Sequence, residues 1–304
     1  MFLLLGSCFS GLAQSAEQGA KPAGEALRLE NAGEADLAHG NFALALQGFR
    51  SALNLNPSSA QAHSGLGITL QETGHLREAL GEFRKASGLS PKAWEPRYLS
   101  AETFILLSDF RKAIGELRQV LLINPNYPDA VYNLAMAEWR AGDRIAASRD
   151  FQKLISLQPG DPTAYFQLGR LLREQGDRRG VVLEFQRASA ADARNLESRC
   201  ELAMTLVELE HFDEALAEFQ RILQVDSVNV QAHYGMGLVR ELTDEDDYGV
   251  SEFGEAIRLK PDFAEAQIHL AHVLIERRRF PEAKAALEDA ERLKPDDSAL
   301  HYVT

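Results

Sequence analysis

Two histidines, His269 and His272, stand three residues apart. That spacing puts both imidazoles on one helix face, where they supply half of a four-coordinate metal site. No third ligand accompanies them in the sequence, and a polar helix face explains the pair without a metal. The run Asp244-Glu245-Asp246-Asp247-Tyr248-Gly249, with Glu255 at the twelfth place, partly matches a calcium-binding loop. Its fifth place is Tyr248 rather than Asp or Asn, and acidic residues also favour the first turn of a helix through the helix dipole. Only two cysteines occur, Cys8 and Cys200, too few for a disulfide framework or a cysteine-rich zinc module. A lone Cys200 behaves as a small hydrophobe, and Arg277-Arg278-Arg279 reads as a solvated turn. There is no nucleophile motif, phosphate-binding glycine loop or cofactor fingerprint, so neither catalysis nor a cofactor is expected.

The elements that carry these residues follow a single period. Phe49, Phe83, Phe151, Phe185, Phe219 and Phe253 are spaced by 34 residues or twice that, and Leu117 and Leu287 hold the remaining slots. Pro57, Pro91, Pro125, Pro159, Pro261 and Pro295 keep the same step, with Ala193 and Ser227 in the two vacant slots. Eight units of 34 residues run from Ala26 to Asp297 without insertion or deletion. With Ala60 as position 1 of a unit, position 8 is always Gly or Ala, and position 20 is Ala, Val or Gly. Positions 4, 7/8 and 11 share one face of a helix, and positions 20, 24 and 27 share one face of a second. Gly at position 15 (Gly40, Gly74, Gly142, Gly176) separates the two helices, and the position-32 proline ends the second. Each unit is therefore expected to be a helical hairpin with Phe as its wedge.

These residues resemble the tetratricopeptide repeat, a 34-residue pattern of Leu-Gly, Ala, Phe, Ala and Pro, over 272 of the 304 residues. The aromatic usual at position 4 is replaced by Leu29, His63, Arg97, Val131, Tyr165, Arg199, His233 and Gln267. His63, His233 and His301 are therefore read as residues of a packing slot. The resemblance implies an all-α, right-handed superhelical solenoid whose first helices line a concave groove. It also implies a non-catalytic protein–protein interaction module or scaffold that binds peptide segments there. A regulatory array of an enzyme complex and a self-assembling scaffold are the alternatives. The groove positions 5, 9 and 12 carry a second apolar stripe, with Tyr98, Tyr132, Phe166 and Tyr234, then Met136, Met204 and Leu238, then Trp139. Position 2 adds an acidic edge of Asp129, Glu197 and Glu265. Aromatics at position 5 can equally pack between neighbouring first helices. No unit has Lys at position 5 or 2, so the carboxylate clamp of chaperone-tail-binding members is not formed. Only Asn31 and Asn133 occupy position 6, too few for the asparagine ladder of glycosyltransferase repeats.

Charge and termini complete the reading. Lys plus Arg number 32 against 45 Asp plus Glu, a net charge of −13, which argues against nucleic acid and for apolar or basic protein segments as partners. No run of 18 apolar residues exists to span a membrane. Residues 1–13, MFLLLGSCFSGLA, resemble a secretory signal peptide cleaved before Gln14, and the chain is similar to bacterial exported members of the family. This implies a periplasmic or secreted protein. The alternatives are a cytoplasmic protein, or one lipid-anchored through Cys8, because Leu5-Gly6-Ser7-Cys8 resembles a lipoprotein box. Residues 14–25 read as a linker, 26–297 as the array, and 298–304 as the start of a further helix. An array ending there is expected to leave Ala283, Leu287 and Ala290 partly open, for a partner or a second copy to cover.

Overall fold

The computed structural model describes residues 23–294, and every regular element among them is an α-helix. A first unit, which ends at Leu157, contains eight helices. They are α1 (23–38), α2 (Phe42–Leu55), α3 (Ala60–Glu72), α4 (Leu76–Leu89), α5 (Glu95–Leu106), α6 (Phe110–Ile123), α7 (Pro128–Arg140) and α8 (Arg144–Leu157). A second unit, from Gln158, contains α9 (Pro162–Gln175), α10 (Arg178–Ala191), α11 (Leu196–Glu208), α12 (Phe212–Val225), α13 (Val230–Leu242), α14 (Asp246–Leu259), α15 (Ala264–Glu276) and α16 (Phe280–Leu293). Each odd-numbered helix and its successor form one hairpin of the 34-residue period. Both units are all-α stacks of such hairpins. The described helix already covers 23–25, so the end of the expected linker is helical. The expected signal segment, Cys8, His301 and residues 298–304 lie outside the described residues.

The period is realised as a ladder of wedges. Phe49, Phe83, Phe151, Phe185, Phe219, Phe253 and Leu117 are fully buried between the helices of their hairpins. Burial of each such side chain contributes about 1.5–3 kcal/mol. The small residues make that possible by steric room. A Cβ on Gly67 would lie 2.5 Å from the Phe83 ring, and one on Gly235 would lie 2.1 Å from the Phe219 ring of the preceding hairpin. Any side chain there forces the wedge out.

Local chemistry sets the helix ends. Ser59, Asn195 and Asn229 accept the N–H of Ala62, Ser198 and Ala232 at 3.1, 3.0 and 3.1 Å, capping the first helices. Gly40, Gly74, Gly142 and Gly176 take φ of 75, 81, 91 and 78° at position 15, as a left-handed helix stop requires. Ser108, Glu210, Asp244 and Arg278 hold the same slot in the other repeats at φ of 57, 62, 59 and 58°. The turn geometry is thus imposed by hairpin packing even where a Cβ makes it costly, by about 1–2 kcal/mol. Likewise α10 and α12 end in register although Ala193 and Ser227 replace the proline.

Position 4 is more than a packing slot. In four of the eight repeats it meets a carboxylate 19 residues on: His63 Nδ1 lies 2.6 Å from Glu82, Arg97 3.2 Å from Glu116, Arg199 2.7 Å from Glu218 and His233 2.7 Å from Glu252. The Nε2 atoms of His63 and His233 also face the carbonyls of Pro57 and Ser227, at 3.1 and 3.3 Å, which ties each hairpin to the one before. At the last described hairpin Ala283 and Ala290 are buried and only Leu287 is half-buried, so the expected opening there is confined to Leu287.

Candidate functional site

Within each unit, first helices of successive hairpins pack against one another more closely than second helices do, so the first helices line the inner side. In the first unit this face carries a cavity of about 330 Å³ lined by Ile105, Phe110, Tyr132, Asn133, Met136, Ala137 and Arg140. Ile105 is at position 12 of its repeat, while Tyr132 and Met136 are at positions 5 and 9 of the next, so the apolar stripe converges here from α5 and α7. Tyr132 is half-buried and lies edge-on to the Phe151 wedge at 6.4 Å, which fixes one ring face against the core. Trp139 meets the same wedge at 6.2 Å, also edge-on. Arg140 is exposed and has no ion-pair partner among the described residues.

Beside the cavity stands a cluster of rings and carboxylates. The ring centroids of Trp94 and Tyr127 are 4.4 Å apart, and those of Tyr98 and Tyr127 are 5.1 Å apart. Asn133 Nδ2 donates to the Tyr98 hydroxyl at 2.9 Å, and the Glu102 carboxylate is a neighbour of that hydroxyl. Burial, helped by the nearby Asp129 charge, pushes the Glu102 carboxyl up from the usual carboxylate range. The Tyr98 hydroxyl is raised by burial and by Glu102, and Tyr127 by burial and by its bond to Asp129. No cation pairs with Glu95, Glu102 or Asp129 among the described residues. Glu102 and Phe110 were not singled out by the sequence, and Asn133 was weighed only for an asparagine ladder; position 9 would have pointed to Glu102.

The second unit treats the same positions differently. Phe166 is only 8% exposed and packs tilted against Phe185 at 5.7 Å, so it is a core side chain rather than a free anchor. Tyr234 is held between Phe253 at 5.9 Å and Phe263 at 4.8 Å, and burial pushes its hydroxyl up to about 12. Met204 packs against the core, and Leu238 is half-buried. Of the acidic edge, Glu197 is exposed, whereas Glu265 pairs with Lys294, which holds its carboxyl below the usual range. The guanidinium of Arg173 bridges from α9 to Glu201 and, at 2.8 Å, to Thr205 on α11.

The candidate metal and calcium groups have protein partners of their own. His269 and His272 each place Nδ1 2.8 Å from the carboxylate of Glu241. Helix α14 begins at Asp246, so the acidic run is a turn plus a first helical turn, and Glu255 faces Arg258 at 2.6 Å rather than closing a loop. Cys200 is half-buried, and burial raises its thiol to about 11, which leaves little nucleophilic thiolate. Arg279 pairs with Glu282.

Fold and face together define a helical-hairpin repeat protein. Family models for the tetratricopeptide repeat match residues 31–93, 132–177 and 200–247, and another matches 250–304; the chain belongs to this family. Solved structures with the same fold include the C-terminal part of a repeat-containing protein from Cytophaga hutchinsonii, with TM-score 0.67 and 13% identity over 78% of this chain and 97% of that one. Pseudomonas aeruginosa PilF gives TM-score 0.54 and 18% identity over 74% and 99%. MamA gives 0.53 and 22% over 57% and 94%. A comparison with curated proteins gives no match. Repeats of this kind generally serve as scaffolds for protein partners.

Proposed function

We propose that the protein is a non-catalytic scaffold that captures peptide segments of partner proteins on the inner face of its first unit. The observation that carries this reading is the cavity of about 330 Å³ bounded by Ile105, Tyr132 and Met136. It is apolar, it sits on first helices, and its walls are backed by the Phe151 wedge. Such a pocket suits a bulky side chain, because a pre-formed apolar site loses little conformational entropy on binding. The acidic residues beside it, Asp129 foremost, favour basic partners and speed their association. Export to the periplasm or beyond is part of the proposal and rests on residues 1–13.

The test is a variant that fills the cavity without touching the hairpin core. Met136→Arg should keep the melting temperature of the parent chain and lose the partners that the parent retains from native extract. Retention of every partner by a folded Met136→Arg chain contradicts the site. Intact mass of protein from its native host decides export: loss of residues 1–13 is expected, and a retained Met1 in a cytosolic fraction opposes it.

A further inference from the structure

The inner face of the first unit has an unbalanced charge that the fold itself does not need. Glu102 lies on α5 between Tyr98, at position 5, and Ile105, at position 12, one helical turn before the Ile105 side chain that lines the cavity. Two half-buried carboxylates of other hairpins have cations: Glu82 has Lys85 at 2.8 Å, and Glu218 has Arg199 at 2.7 Å. Glu102 has the neutral Tyr98 hydroxyl as a neighbour instead, and its charged neighbour is Asp129, of the same sign. Tyr98 accepts the Asn133 amide at 2.9 Å, and both groups are neutral, so neither balances the charge of the two carboxylates. An ionised carboxylate held half out of water beside a second one is costly unless a cation joins it. The nearest rings, Tyr98 and Tyr127, offer π-faces that also favour a cation. Among the residues lining the cavity the single charge is Arg140, at the far end of α7. Eleven residues separate it from Asp129, about 16 Å along the helix at 1.5 Å per residue.

Resting on the groove reading above, we infer that the partner segment carries a lysine or arginine whose cationic head pairs with Glu102 and Asp129, next to a bulky apolar residue that enters the Ile105–Tyr132–Met136 cavity. Charge complementarity chooses this occupant. The cation enters a region of surplus negative charge, the apolar neighbour removes the cavity lining from water, and Arg140 repels a cation placed the other way round. Glu102 is then the residue that sets specificity, and Tyr132 and Met136 supply affinity.

The experiment uses the full chain and a random 12-residue display library. Panning on the parent chain should enrich Lys or Arg adjacent to Leu, Ile, Met or Phe. The strongest peptide is then synthesised with Lys and with norleucine, which keeps the stem and removes the charge. The Lys form should bind the parent about tenfold more tightly, as a charge-assisted hydrogen bond allows. That advantage should vanish in Glu102→Gln, whose melting temperature reports whether it folds, and it should shrink as salt rises. Equal binding of the two forms to the parent, or enrichment of acidic peptides through Arg140, overturns the cation site while leaving the groove intact. A peptide that binds Met136→Arg as well as the parent shows that the groove reading has failed instead, and absence of any enrichment overturns both.

Discussion

The α5–α7 face and the α13–α15 face share a register but not a fate. At position 12 of one hairpin and positions 6 and 9 of the next, the first has Ile105, Asn133 and Met136, and the second has Glu241, His269 and His272. In the second face one carboxylate takes both imidazoles at 2.8 Å, and the space is filled from within. In the first face no such staple is available, and the same space is an open apolar cavity. The cavity therefore arises by omission. The hairpin scaffold is constant, and an open apolar cavity appears where neighbouring first helices do not satisfy one another. Arg173 with Glu201 and Thr205 shows the closed arrangement again in α9–α11.

The comparison requires that the scaffold be equivalent in both places. Phe83→Ala and Phe253→Ala, each emptying a fully buried wedge slot, should both cost about 3–5 kcal/mol in urea unfolding. A cost confined to one of them would break the equivalence on which the rest depends. The staple should matter only in the second unit. Glu241→Ala removes the acceptor of two imidazoles that are 36% and 48% exposed, so solvent replaces part of the loss. About 1–2 kcal/mol should disappear from the stability of the second unit, with peptide affinity unchanged.

How much of this was legible in the sequence follows from what a period can encode. The 34-residue step places Phe83 and Phe253 in one slot and gives the helix ends to within a residue or two. It also sends Tyr132, Phe166 and Tyr234 to one position, and there its information stops. Phe166 went into the core against Phe185, and Tyr234 was caught between Phe253 and Phe263. Tyr132 kept an open side, because its surroundings come from a neighbouring repeat. The pairing of His63 with Glu82 and Arg199 with Glu218 had a signal in the constant 19-residue offset, but it shows only when positions 4 and 23 are compared jointly. The acidic edge was visible at position 2, whereas the unpaired Glu102 needed the knowledge that no Lys or Arg reaches it.

Two smaller effects sharpen the contrast between repeats. Glu138, at position 11 of the fourth repeat, is 1% exposed and bonds Arg118 at 2.8 Å. Burial, with Asp150 beside it, raises its carboxyl above the usual range. The folded chain therefore holds that proton more tightly than the unfolded chain. Stability from this group is greatest in acid, falls as pH rises from the unfolded value through the raised folded one, and is lowest above it. Glu138→Gln should gain melting temperature relative to the parent as pH rises from acid to 7, and the gap should close in acid. A gap independent of pH would assign the effect to packing. The least effect is expected at the turns. Ser108→Gly relieves a left-handed residue at φ 57° and should add up to about 1 kcal/mol, whereas Gly74→Ser should subtract a similar amount.

The central claim is that the α5–α7 face is open to partners and the α13–α15 face is closed by its own side chains. Tyr132→Ala and Tyr234→Ala test it side by side, through melting temperature and affinity for one peptide selected on the parent chain. Tyr132→Ala should lose about 1–3 kcal/mol of affinity with little change in melting temperature. Tyr234→Ala should melt several degrees lower and, where still folded, bind as the parent does. A lowered melting temperature with unchanged affinity for Tyr132→Ala would make that ring a core residue and contradict the account.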